Sequence, residues 1–381
     1  MMHITCKAVF HRLPVSILLL AFPLFSASPS YVDTDSSPEL TRVRALAEKG
    51  SINDEIVLAG DYFIGTGVKQ DPKMAAYWYE KAAAHGSPEA ENQIGFFYQA
   101  GIGVTQDLDK AFHWYQLSAA SGYATAKVNL AVAYLHGLGT RKSDDLAVQF
   151  LTQAYEGGNG RAATYLGILS FFGIAMKEDR VAAESWFESA IKLHDPLAAY
   201  NLGSLYSVDL DHPHDLPRAA DLLRQATDGG YVPAMHSLGL LFVNHPELKQ
   251  GPDQAHTLLE AAANAGNWKS SVVLGILARD GRCGVPANVE QAYFHFRLAA
   301  IQGGPQAERL IKHDMDTLAA KIGGEESRKQ NSAANNWFQH HSVTLAFVYK
   351  DGSTKRAFPA AAMADTSEGS FAGQLLPLAS S

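Results

Sequence analysis

The chain has 381 residues, 47% hydrophobic and 18% charged, with a formal net charge of -8. This composition excludes disorder along the whole length, and the acidic balance excludes the basic footprint that nucleic-acid binding needs. Only Cys6 and Cys283 are present, so a disulfide-stapled fold is excluded as well, and Cys283 reads as a buried, inert thiol.

The first element is an export signal over residues 1–28. His3, Lys7 and Arg12 make a weakly basic start, residues 13–25 form an apolar run, and Ser26-Ala27-Ser28 supply small residues of cleavage type. The run is shorter than the about 20 apolar residues a spanning helix needs. Once the signal is removed, the expectation is a periplasmic or secreted protein with no membrane span. Residues 29–53 read as a linker and an N-terminal capping helix, with Ser37 as N-cap, Pro38 in the first turn and Gly50 at the close.

Residues 54–303 carry an internal repeat. At a step of 36 the chain reads Ala59, Gly95, Ala131, Gly167, Gly203, Gly239 and Gly275. Ile94, Leu130, Leu166, Leu202, Leu238 and Leu274 precede the last six of these. Three residues after them come Tyr62, Tyr98, Tyr134, Ser170, Tyr206, Phe242 and Ala278, and a fourth column is Ala75, Ala111, Ala147, Ala183, Ala219 and Ala255. Each unit holds two helical patterns. In the second unit Ala90, Ile94, Phe97 and Tyr98 share one face, Gly101-Ile102-Gly103 breaks the helix, and Asp107 caps the next. One helix pair cannot bury its apolar faces alone, so the pairs stack into a continuous core. The predicted fold is all-α: an α-solenoid of antiparallel helix pairs wound as a right-handed superhelix. The glycine loops decay at Gly173-Ile174-Ala175 and are absent from the fifth and sixth units, and the seventh carries an extra residue near Cys283 that moves its alanine to Ala292. Residues 304–341 read as C-terminal capping helices, with Trp337 and Phe338 sealing the last core. Residues 342–381 read as a low-order tail that begins with a strand-like stretch.

Three short patterns carry possible chemistry. Ser189-Ala190-Ile191-Lys192 has the nucleophile spacing of penicillin-recognising enzymes, but no Lys-Thr-Gly element follows. Asp209, Asp211, His212, His214 and Asp215 are suitable metal ligands without a second partner segment, so they read as a solvated loop and no metal or cofactor is expected. The third pattern lies two residues before the Gly/Ala column: Gln93, Asn129, Tyr165, Asn201 and Ser237. These polar residues sit off the apolar face of the first helix of each unit, and we expect them to face the groove and hydrogen-bond an extended partner.

The motif Ile94-Gly95-Phe96-Phe97-Tyr98, Gly101-Ile102-Gly103-Val104, Asp107, Lys110-Ala111, Trp114-Tyr115 and Ala119-Ala120 resembles the Sel-one-like repeat family, a relative of the tetratricopeptide repeats. Gly65-Thr66-Gly67-Val68 and Ala76-Tyr77-Trp78-Tyr79 match it again. The resemblance implies an adaptor that holds a protein or peptide on a concave face, in exported members at the cell envelope. It also brings an alternative, the weak β-lactamase or penicillin-binding activity of a cysteine-rich branch, whose disulfide-forming cysteines this chain lacks. A glycan-binding envelope protein is a third reading.

Overall fold

The computed structural model describes residues 37–207, 215–248 and 251–341, and all regular structure among them is helical. A lone helix α1 (Pro38–Glu48) precedes seven helix pairs. The first helices of the pairs, the A helices, are α2 (Ile52–Ile64), α4 (Pro88–Ala100), α6 (Ala124–His136), α8 (Gly160–Phe172), α10 (Pro196–Ser207), α12 (Val232–Asn244) and α14 (Trp268–Asp280). The second helices, the B helices, are α3 (Pro72–Ala84), α5 (Leu108–Ala120), α7 (Asp144–Glu156), α9 (Arg180–Lys192), α11 (Leu216–Asp228), α13 (Gly251–Asn264) and the start of α15 (Val289–His341). The export-signal residues, the metal-type loop from Asp209 to His214 and the tail from residue 342 lie outside the described residues.

Local chemistry sets the helix ends. Asp71, Asp107, Ser143, Asp179 and Asp215 each accept a hydrogen bond from an amide in the first turn of a B helix, which satisfies a donor that has no partner inside the helix. Ser37 caps α1 in the same way, through the Leu40 amide.

One column of side chains drives the pairing. Tyr79, Tyr115, Leu151, Phe187, Leu223, Leu259 and Phe296 project from successive B helices and are all buried. Each stands opposite the Gly/Ala column of its own A helix. A Cβ added at Gly95 would sit 2.8 Å from the Tyr115 ring, and one at Gly167 or Gly275 equally close to Phe187 or Phe296. Small residues therefore recur there because the facing knob occupies their side-chain space, and each buried knob contributes about 1.5–3 kcal/mol of apolar transfer. The step from Leu259 to Phe296 is 37, the extra residue falling in the loop at Cys283-Gly284. Cys283 is free, half-buried and left-handed at φ 54°, so the expected burial of this thiol is only partial.

The loops lock one repeat onto the last. At Gly103, φ is +67° and an added Cβ would stand 2.0 Å from the carbonyl oxygen of Pro72, which opens the preceding B helix. Where the fourth repeat has Ala175, the residue keeps the same left-handed turn at φ 61°.

The far end is closed by α15, whose run is interrupted at Gly304 (φ 55°, ψ -144°) and Gly323 (φ 79°, ψ 167°). The segments after these breaks fold back as a cap that buries Ile311, Leu318 and Ala334.

Candidate binding face

Across neighbouring repeats the A helix α10 touches both α8 and α12, and α12 touches α14. Gln93, Asn129, Tyr165 and Ser237 are half-buried on the A helices α4, α6, α8 and α12, whereas Asn201, in the same column on α10, is fully enclosed.

These residues are tied to a second column that the sequence reading did not single out, one position earlier: Asn92, Val128, Thr164, Tyr200 and His236. Asn129 Nδ2 donates to Asn92 Oδ1 at 2.8 Å across the junction of repeats two and three. Ser237 stands to Tyr200 in the same register, with its hydroxyl near enough to the phenol to oppose the rise in pKa that burial causes. By that register Asn201 belongs to Thr164, but Thr164 Oγ1 donates instead to Asp195 Oδ2 at 2.5 Å. Both polar atoms of the Asn201 amide are left without a hydrogen-bond partner. The offset of 37 between rung partners, one more than the repeat, was the sequence signal that could have revealed this ladder.

Asp195 anchors the most polar part of the face. Arg161 Nε lies 3.1 and 3.0 Å from its two carboxylate oxygens, and Arg161 Nη2 lies 3.0 Å from Oδ1. Burial opposes the charge on Arg161, but the Asp195 carboxylate beside it outweighs that effect and raises the guanidinium pKa. Tyr200 and Tyr231 pack with ring centroids 5.0 Å apart. Further along, His236 is buried, its Nδ1 is 2.9 Å from Ser270 Oγ, and burial, with Lys269 nearby, pulls its pKa down to about 4. The face is therefore a row of amides, hydroxyls and aromatic rings with its charge largely internally paired, suited to hydrogen-bonding an uncharged polar backbone rather than to moving protons.

The remaining chemical patterns fall elsewhere. Ser189 Oγ donates to the Ser185 carbonyl at 2.9 Å on its own helix, an ordinary back-bond for a helical serine. Asp215 is the N-cap of α11, accepting from the Arg218 amide at 3.0 Å. Among the described residues no group of three His, Cys, Asp or Glu side chains comes together as a metal site. No described helix is long and apolar enough to cross a membrane.

The model of the Sel1 repeat matches residues 57–87, 88–123, 124–159, 160–195, 196–231, 232–267 and 273–304. Among solved structures, one similar chain is c5321, a protective antigen of uropathogenic Escherichia coli with an SLR fold, at 25% identity and a TM-score of 0.50, covering 89% of this chain and 71% of that one. Another is a Sel1 repeat protein from Oxalobacter formigenes, at 24% identity and a TM-score of 0.55, covering 68% of this chain and 98% of that one. Among curated proteins, none matches this chain.

Proposed function

The chain belongs to the Sel1 repeat family, whose members are generally protein-interaction scaffolds, and on that premise we propose that its concave face holds an extended segment of a protein partner. The observation that carries this reading is the row of half-buried polar side chains along successive A helices, at Gln93, Asn129, Tyr165 and Ser237. A repeat of 36 residues sets such side chains at regular intervals, and an extended backbone presents amides and carbonyls at regular intervals too. Affinity then comes from many modest hydrogen bonds along a preformed surface, not from one deep pocket.

We place this scaffold outside the cytoplasm, in the periplasm or secreted, from the basic, apolar and small-residue order of residues 1–28. The N-terminal sequence of the mature protein tests that placement: cleavage near residue 28 in the exported fraction supports it, and an intact chain in the cytoplasm contradicts it. The hydrolase alternative receives no support from Ser189, whose hydroxyl is spent on its own helix.

A double variant, Gln93→Ala with Ser237→Ala, tests the binding reading. Both side chains are half-buried, so the fold should persist by circular dichroism. Affinity for a partner isolated with the native protein should fall at least about tenfold, the equivalent of roughly 1.4 kcal/mol. Undiminished affinity in a folded double variant refutes the reading.

A further inference from the structure

At two junctions between neighbouring repeats, a carboxylate on one B helix is set beside an aromatic ring of the next A helix and a cation of the next B helix. In repeat two, Tyr98 donates its hydroxyl to Glu80 at 2.6 Å, and the Lys110 ammonium lies 4.9 Å from the centre of the Tyr98 ring. In repeat five, at the same three positions, Arg218 lies 4.7 Å from the Tyr206 ring and 3.1 Å from Glu188. The set is therefore carboxylate, ring and cation, held between neighbouring repeats.

Repeat seven keeps the carboxylate and loses the other two. The position of Glu80 and Glu188 is Glu260. The position of Tyr98 and Tyr206 is Ala278, and that of Lys110 and Arg218 is the neutral Gln291, once the extra residue of this repeat is counted. The position of Trp78, Trp114 and Trp186 is His295. The smaller side chain at His295 leaves space, and a cleft of about 240 Å³ opens here, lined by Glu260, Asn264, Gln291, Phe294, His295 and Trp337 among others. Trp337 reaches it from the folded-back end of α15. His256, one turn from Glu260, approaches its carboxylate at 3.6 Å. His295 Nδ1 is enclosed and has no hydrogen-bond partner. Burial keeps this imidazole neutral, with its pKa pulled down to about 4, so it sets no second positive charge beside the cleft.

We propose that this cleft binds a small primary alkylammonium ion. The ammonium takes the place that Lys110 and Arg218 fill in their own repeats, donating to Glu260, while the alkyl chain lies against Phe294 and Trp337. Aromatic walls favour a cation over its neutral isostere. The volume sets the size: drug-sized ligands occupy pockets of roughly 300–1,000 Å³, so this cleft takes something smaller.

The test uses the full chain and n-butylammonium as probe, with n-butanol as the uncharged control and tetramethylammonium as the cation without an N–H donor. Calorimetry and saturation-transfer NMR should show saturable butylammonium binding, and both controls should bind at least about tenfold more weakly. Glu260→Gln, isosteric at a half-exposed position, should keep the melting temperature and weaken butylammonium by a similar factor. The proposal is overturned by no saturable binding of butylammonium up to about 10 mM, by n-butanol binding equally well, or by undiminished binding in Glu260→Gln. Because the cleft lies between B helices and the cap, the Gln93→Ala, Ser237→Ala protein should bind butylammonium normally.

Discussion

Asn129 donates its side-chain amide to Asn92 at 2.8 Å, and three repeats later Ser237 meets Tyr200 in the same register. These polar residues join consecutive A helices, each to a residue of its neighbour. Asn201 stands between these rungs without one, because Thr164 has turned to Asp195.

A buried amide with neither donor nor acceptor satisfied is destabilising. Asn201→Leu, which keeps the number of side-chain heavy atoms, should raise the unfolding free energy by about 1–2 kcal/mol, the desolvation cost it removes. Urea denaturation of the two proteins checks this. A less stable Asn201→Leu protein would mean that the amide is satisfied in solution.

Asp195 receives Arg161 twice and Thr164 once, and it also caps the start of α10 through the Leu197 amide at 3.4 Å. Its side chain is 5% exposed. Asp195→Ala should therefore cost about 3 kcal/mol, at the low end for breaking a buried pair because Arg161 keeps some access to water. Arg161→Met should cost less, because it leaves behind a carboxylate still held by Thr164. Equal, small losses in the two variants would contradict the anchoring role of Asp195.

The fold was legible where chemistry repeats at a fixed step. Gly95 and its counterparts, the alanine columns and the glycine loops all recur at 36, and each marks a place where backbone or knob leaves no room for a side chain. The rungs left only a step of 37 as their mark in the sequence, because each pair has its own chemistry: amide beside amide at Asn92 and Asn129, phenol beside hydroxyl at Tyr200 and Ser237. Nor could spacing foretell the Arg161–Asp195 pair, because only repeat four places an arginine opposite an acidic cap. The groove column was visible as polar residues off the apolar face, but the enclosure of Asn201 depends on the packing of neighbouring A helices.

Acid should weaken the fold through two histidines. Burial holds His236 and His295 at pKa values of about 4, below the ordinary imidazole value of about 6.5. Between these values the unfolded chain binds protons that the folded chain refuses. The stabilising effect is therefore complete above about pH 6.5 and is lost as pH falls toward 4. Each histidine contributes a slope of up to about 1.4 kcal/mol per pH unit in that window. Chemical denaturation at pH 7, 6 and 5 should show a steady loss of stability, and His236→Gln should flatten it. A His236→Gln protein with the wild-type slope would show that this side chain does not contribute.

His194 takes the left-handed conformation, at φ 61°, where Gly86, Gly122, Gly158, Gly230 and Gly266 stand in other repeats. It is exposed. An L-residue there carries about 1–2 kcal/mol of steric cost, offset in part by the extra freedom glycine gives the unfolded chain. His194→Gly should gain about 1 kcal/mol in a thermal melt, and a loss of stability would indicate that the imidazole makes a contact that matters.

The central claim is that the partner lies on the concave face. A photo-crosslinking residue placed singly at Gln93 and at Ser237, and as controls at Val181 on a B helix and Leu310 on the terminal cap, tests it most directly, since both controls are strongly exposed. Illumination in the native compartment should yield the same partner adduct from positions 93 and 237, and none from 181 or 310. Adducts formed equally from all four positions, or only from the controls, would contradict the account.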